Sequence, residues 1–283
     1  MEPRAYSASP VGLNFFGVGY NWLTGDVVSD PDLPLSDVQA DVRSLSVGVG
    51  HTFNLLGDLG LVTATAPYSR AVVTGKVFEQ QAEARRTGLS NAVFKMSVNL
   101  RGNPAMSPEE FKAAPQRVIV GASFTAVAPT GQYYDTKLIN LGTNRWSLKP
   151  EMGVVYPKGP WDFDAYVGTW FFTANREFFP GDSTRSEDPV LTAQGHVSYE
   201  FRPRLWVALN GTWYWGGKAR VDAGDASAGL NNTRGGITVS IPVARSSVKM
   251  AYSSGLTVRA GGAFRSVTVA WQMSWLSPRW AGR

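Results

Sequence analysis

The chain contains no cysteine, which excludes disulfides and thiolate metal sites and leaves the redox compartment unmarked. Its two histidines, His51 and His196, are too few to build a structural zinc site. Charge is scarce as well: 17% of the residues are Asp, Glu, Lys or Arg, against roughly 25% in soluble domains. No stretch approaches the ~20 apolar residues that a membrane helix requires. The opening MEPRAYSASP lacks the basic and apolar regions of an export signal, so the chain reads either as cytoplasmic or as a mature exported protein with Met1 in place of its signal. The net charge of +5 is scattered, with no basic run and no motif that aims it at phosphates, so nucleic acid is not an expected partner.

What the chain does have is glycine, aromatics and alternation: 30 Gly, 10 Trp, 10 Tyr and 14 Phe in 283 residues. In SVTVAWQMSW (266–275), Val267, Val269, Trp271, Met273 and Trp275 alternate with Ser, Thr, Ala and Gln. A strand turns successive side chains to opposite faces, giving this segment one large apolar face and one small polar face. About twelve such segments follow one another, among them FFGVGYNW (15–22), RSLSVGVGHTF (43–53), WDFDAYVGTWFF (161–172) and LWVALNGTWYW (205–215). Links alternate between tight ones, such as PKGP (157–160) and RPR (202–204), and long polar ones at 24–41, 75–90, 130–145, 173–189 and 216–232. Two links break the rhythm, 101–117 being long and 257–264 short.

In a soluble sandwich the outward parity would be charged. Here it is small, as in Ser44, Ser46, Gly48, Gly50 and Thr52. The pattern predicts an all-β fold, a closed antiparallel transmembrane β-barrel of about twelve strands with short periplasmic turns and long extracellular loops, since only a closed barrel of strands satisfies its backbone in hydrocarbon. Trp22, Tyr68, Trp146, Tyr156, Trp161, Tyr199, Phe201, Trp213, Trp215, Tyr252 and Trp275 fall near strand ends on the apolar parity, as interfacial girdles require. One domain is expected over 1–283, with a lead-in at 1–11 and a long periplasmic turn at 101–117 whose Ser107 caps a short helix.

The stretches APTGQYYDTKLINLGTNRWSLKPEMGV (128–154), RAYSASPVGLNFFGVGY (4–20), DPVLTAQGHVSYEFRPRLWVALNGTWYWGG (188–217), NNTRGGITVSIPV (231–243) and VKMAYSSGLTVRAGGAFRSVTVAWQMSW (248–275) resemble the outer-membrane transporter family of the meta-pathway of phenol degradation. NLGTNRW followed by KPE is the distinctive part; the rest is grammar shared by many barrels. The resemblance implies an outer-membrane barrel of a Gram-negative bacterium that carries small, aromatic or hydrophobic molecules passively, with a mature chain starting near RAYS. It implies no catalytic residues and no cofactor.

On the small parity, the ionisable residues expected to face the lumen are Lys95, Lys149, Glu151, Asp162, Asp164, His196, Glu200, Arg234 and Lys249. Mixed charge of this kind either locks a barrel through salt bridges or lines a polar path. Tyr166, Trp170 and Phe172 share the face of Asp162 and Asp164, with Trp206 and Tyr214 on a second strand, so a planar solute has rings to stack on. In the external loop, Asn140 and Asn144 suit tight turns, while Lys137 and Arg145 offer cations to a neighbouring segment, an anionic solute or lipopolysaccharide. His196 and Ser198 share a face, but no elbow motif frames the serine and no enzyme activity is expected. DSTRSED lacks the ligand spacing of a calcium loop. The expected partners are membrane lipid, lipopolysaccharide and a small solute. The competing reading is a plugged, non-conducting barrel that serves a structural role or docks another protein.

Overall fold

The computed structural model describes residues 2–28, 35–77 and 80–277. Twelve strands form the barrel wall: β1 (Leu13–Val28), β2 (Leu35–Leu55), β3 (Asp58–Val77), β5 (Val93–Pro104), β6 (Ile119–Val127), β7 (Ser147–Lys158), β8 (Trp161–Phe172), β11 (Val190–Arg202), β12 (Leu205–Gly216), β14 (Leu230–Val243), β15 (Ser246–Thr257) and β16 (Gly261–Leu276). Each pairs antiparallel with the next, and β16 closes onto β1 with Leu13 opposite Leu276 and Trp22 opposite Val267. Closure leaves no free edge across the membrane, so every wall strand finds a backbone partner on both sides.

The distribution of burial is inverted relative to a soluble protein. The buried side chains are mostly polar, including Ser69, Ser97, Asn99, Ser123, Thr125, Glu151, Asp164, His196 and Ser240. The large apolar ones face outward: Val267, Met250 and Trp271 are 41%, 41% and 37% exposed. Two stacked sheets would hide these three, so lipid is what covers them. The girdle forms at both ends, with Trp161, Tyr199 and Phe201 in edge contact at the short-turn end and Trp22, Tyr68, Trp146 and Trp215 exposed at the other.

Turns of two residues join β2 to β3, β7 to β8, β11 to β12 and β14 to β15. This end, periplasmic in outer-membrane barrels, also carries α1 (Pro108–Ala113). Its Ser107 and Glu110 cap each other's backbone N–H groups, Pro108 supplies a preset φ, and Glu109 and Glu110 face the positive helix end.

At the long-loop end the sequence reading needs correction. Much of the predicted loop 75–90 is a strand, β4 (Gln80–Leu89), which pairs with β3 from Tyr68 to Val77. It stands above the membrane with polar side chains on both faces, so no apolar parity marked it. The predicted loop 24–41 is largely taken up by β1 and β2, and its residues 29–34 lie outside the described residues. The loops at 173–189 and 216–232 carry a small separate sheet of β9 (Asn175–Phe178), β10 (Ser183–Glu187) and β13 (Ala219–Val221).

Candidate functional site

The lead-in expected at 1–11 does not stay outside: residues 2–12 cross the short-turn end and enter the lumen. At the rim, Gly12 N–H donates to Thr52 O and Val11 N–H to Met106 O, both at 2.9 Å, and Asn103 Nδ2 donates to Ser9 O at 3.2 Å. Further in, among the described residues, no backbone-to-backbone hydrogen bond joins residues 2–9 to the wall, and wall side chains meet the segment's backbone instead: Ala5 N–H donates to the Tyr166 hydroxyl at 3.0 Å and Asn99 Nδ2 to Tyr6 O at 3.4 Å. Three of its own side chains add to this hold.

Tyr6 is the anchor. Its ring is 2% exposed and lies edge-on to Tyr166 at 5.3 Å, within a cluster completed by Ile119 and Val155. This is an apolar core set inside the lumen. The wall makes room for it with Gly121 and Gly153, where an added Cβ would stand 2.3 Å and 2.6 Å from the ring. Burial pushes the Tyr6 hydroxyl up to about 12, so it stays protonated and donates to Ser123 Oγ at 3.0 Å.

Arg4 meets the carboxylates of the short-turn end. Its guanidinium reaches Asp162 Oδ2 at 3.0 Å and Glu200 Oε2 at 2.5 Å, and its backbone N–H donates to Asp164 Oδ2 at 2.7 Å. β8 and β11 pair with Asp162 opposite Ser198 and Asp164 opposite His196, which turns all of these residues inward. Glu2 reaches Lys95 Nζ at 2.7 Å. Enclosure by the barrel opposes the charge on Glu2, but the facing Lys95 ammonium outweighs this and holds the carboxyl below its usual range.

The remaining lumen residues of the sequence reading find their partners within the wall. Lys149 and Gln194 both donate to Glu151 Oε2, at 2.7 and 3.0 Å. His196 Nδ1 lies 2.8 Å from Asn210 Oδ1, and Arg234 donates to Ser253 Oγ at 2.8 Å. The rings are covered by cations: Arg4 and Lys249 lie over Trp206 at 5.6 and 5.7 Å, Lys149 over Trp170 at 5.3 Å, and Arg145 over Phe172 at 4.4 Å. Tyr214 is partly buried on the same parity. Against the β12–β1 wall a polar cavity of about 230 Å³ stays open, lined by Asn21, Asn210, Thr238, Ser253, Ser266 and Thr268.

Residues 36–273 match the family described as "Putative MetA-pathway of phenol degradation". The chain belongs to this family. No curated protein sequence matches it significantly. Among solved structures, the COG4313 outer membrane channel of Pseudomonas putida F1 aligns with a TM-score of 0.82 at 22% identity, over 97% of this chain and all of that one. The β domain of the Bordetella autotransporter BrkA aligns at 0.53 and 10% identity, over 93% of this chain and all of that one. These likenesses are of fold, a closed outer-membrane barrel.

The family's distinctive loop is held partly by its own asparagine and partly by the neighbouring external sheet. Asn140 accepts from Tyr134 N–H and donates to Tyr134 O and Lys137 O, and Asn144 takes φ 50° while donating to Asn175 and Glu177. Arg145 is 7% exposed and paired with Glu187 of β10 at 2.7 Å, so it clamps the loop to the neighbouring external sheet, while Lys137 is exposed. Asn91 fastens the loop to the wall through Gly131 N–H and Thr143 Oγ1. No hydrogen bond joins Ser198 to His196: Ser198 Oγ and His196 Nε2 are both unpartnered among the described residues. Sequence reasoning missed the inserted segment. Its one signal was Tyr6, an aromatic placed in a run with no strand parity to explain it.

Proposed function

We propose that this chain is a gated outer-membrane channel for passive passage of small molecules, aromatic ones among them, with residues 2–12 as the gate. The observation that carries this reading is how the segment occupies the lumen: through one aromatic anchor and a few side-chain pairs, beside an open polar cavity, with no strand pairing that would make it part of the wall. Such an attachment is strong enough to close the path and weak enough to release it. No energy source is needed, because a wet lumen lowers the cost of crossing for a solute that fits.

The solute class follows from the cation-covered rings. Trp170, Phe172 and Trp206 present faces to Lys149, Arg145, Arg4 and Lys249. An aromatic solute offers those cations an equivalent face and those rings a stacking partner, so it exchanges contacts along the wall without leaving charge bare. The path proposed for it runs past Lys95, Lys149, Glu151, Asp162, Asp164, Tyr166, Trp170, Phe172, His196, Glu200, Arg234 and Lys249. The family's link to phenol degradation supports the same class.

The permanently plugged barrel is the second reading, favoured by the fit of Tyr6 into the wall at Gly121 and Gly153. Liposome swelling separates the two. A gated channel admits a phenol-sized aromatic ahead of a sugar, and admits both faster once Tyr6→Ala removes the anchor. If neither wild type nor the released variant gives swelling or conductance, the channel proposal fails and the plugged barrel stands.

A further inference from the structure

Outward-facing arginines gather on one sector of the barrel, just beyond the upper aromatic girdle. Following the backbone register across β16, β1, β2, β3 and β4, one outward row reads Val267, Trp22, Arg43, Arg70 and Thr87. The next outward row, two residues further from the membrane, reads Arg265, Thr24, Asp41, Val72 and Arg85. The row after that carries Asp26 on β1 and Glu83 on β4. All four arginines are exposed. At the same end of β7, β8, β11 and β12 the outward positions are Leu148, Phe171, Leu191 and Trp215, without a cation.

Two features of this sector leave positive charge uncompensated among the described residues. Arg43 and Arg70 are directly opposed on neighbouring strands, where like charges repel at ~5 Å between Cβ atoms. Their only described ion-pair relief is Asp41, which holds Arg43 at 3.1 Å and also accepts from Trp22 Nε1 at 2.7 Å; Arg85 is taken by Glu83. Arg70 and Arg265 have no carboxylate partner among the described residues. Along β2 the outward positions run Val47, Leu45, Arg43, and along β3 Tyr68 is followed by Arg70, so the cations come directly after the apolar and aromatic positions, at the level where a bilayer leaflet presents its phosphates.

We infer that this sector binds the phosphates of a lipopolysaccharide molecule in the outer leaflet. Arg43 and Arg70 grip one phosphate between β2 and β3 with planar, multi-donor guanidinium groups. Arg265 and Arg85 flank it, and the exposed faces of Trp22 and Tyr68 cover the first part of the acyl chains.

The test is native mass spectrometry of the detergent-extracted protein with added lipopolysaccharide, enzymatically dephosphorylated lipopolysaccharide, and inorganic phosphate as competitor. The expected result is retention of the phosphorylated lipid, with R43Q/R70Q weakening it about 100-fold, roughly tenfold for each charge-assisted contact removed. R202Q/R245Q, which removes the same charge from exposed positions at the short-turn end, is expected to bind as wild type does. Heat-modifiable migration on gels checks that both variants are folded; should the double variant not fold, Arg70→Gln alone is expected to cost tenfold. Equal binding by the folded Arg43/Arg70 variants, equal binding of the dephosphorylated lipid, or displacement by millimolar inorganic phosphate overturns the proposal.

Discussion

Replacing Tyr6 by alanine isolates the contact that seats the inserted segment. A buried aromatic side chain removes about 150–250 Å² from water, worth roughly 4–6 kcal/mol at 25 cal/mol/Å² as an upper bound. Its hydroxyl adds a hydrogen bond to Ser123 worth about 1 kcal/mol. Ordering the segment takes back part of this, leaving a loss on Tyr6→Ala of about 3 kcal/mol. The ion pairs of Arg4 are smaller: both pairs are partly open to lumen water, so each contributes about 1 kcal/mol or less. At 1.4 kcal/mol per tenfold, Tyr6→Ala raises the released fraction of the segment roughly 100-fold. Trypsin reads this directly, because the Arg4–Ala5 bond lies inside the barrel when Tyr6 is docked and reaches the protease only when it is not. Cleavage at that bond accelerates about 100-fold in the variant, and the open-channel fraction in planar bilayers rises with it. Gly121→Ala gives the same outcome with Tyr6 intact, since its new Cβ would sit 2.3 Å from the ring. Unchanged cleavage and conductance in both variants would refute the anchor.

Arg4→Ala is expected to release the segment only about fivefold, while leaving Asp162, Asp164 and Glu200 uncovered at the mouth, so reversal potentials in a salt gradient shift toward cation selectivity. Acid loosens the gate through Glu2: its carboxyl is held below the usual range, so its attraction to Lys95 is complete at neutral pH, begins to fade as pH enters the ordinary carboxylate range and is lost as pH falls below it through the lowered value. Conductance therefore rises on acidification, and Glu2→Gln, already without the attraction, flattens that response. Lys149→Glu places a like charge beside Glu151 and uncovers Trp170, which lowers passage of anionic aromatics relative to neutral ones in swelling assays. Asn91→Ala leaves Gly131 N–H and Thr143 without their partner, at a cost of about 1–3 kcal/mol, and hydrogen exchange of residues 130–145 speeds up accordingly.

The wall was legible because hydrocarbon imposes a rule on every second residue. Val267, Trp271 and Met250 had to be apolar and their neighbours small, and that constraint recurs in each spanning strand whatever it pairs with. β4 lies beyond the hydrocarbon, where Gln80, Glu83 and Arg85 satisfy a strand as well as a loop, so the sequence carries no period there. The strands of the external sheet are too short to show one, at four residues for β9 and three for β13. The inserted segment was hidden for a different reason. Its partners are distant in sequence, Tyr6 with Tyr166 and Ser123 and Arg4 with Asp162 and Glu200, and nothing local records them.

The lumen charges could be read only halfway for the same reason. Parity brings Asp162, Asp164 and Glu200 to one face, but three carboxylates gathered there remain uncompensated until Arg4 is added. A wall of twelve strands lies between the eight whose interior is filled by side chains and the sixteen or more that leave an aqueous pore. Without residues 2–12, Tyr166, Ile119 and Val155 would lose the ring that covers them. Residues 2–12 resolve this by bringing a ring to the apolar patch and a guanidinium to the acids, on a tether whose backbone-to-backbone bonds to the wall lie only at the rim among the described residues. Because ring and guanidinium leave together, release exposes an apolar step and an acidic mouth at once, which is the pair of surfaces that a neutral aromatic solute tolerates better than an anion does.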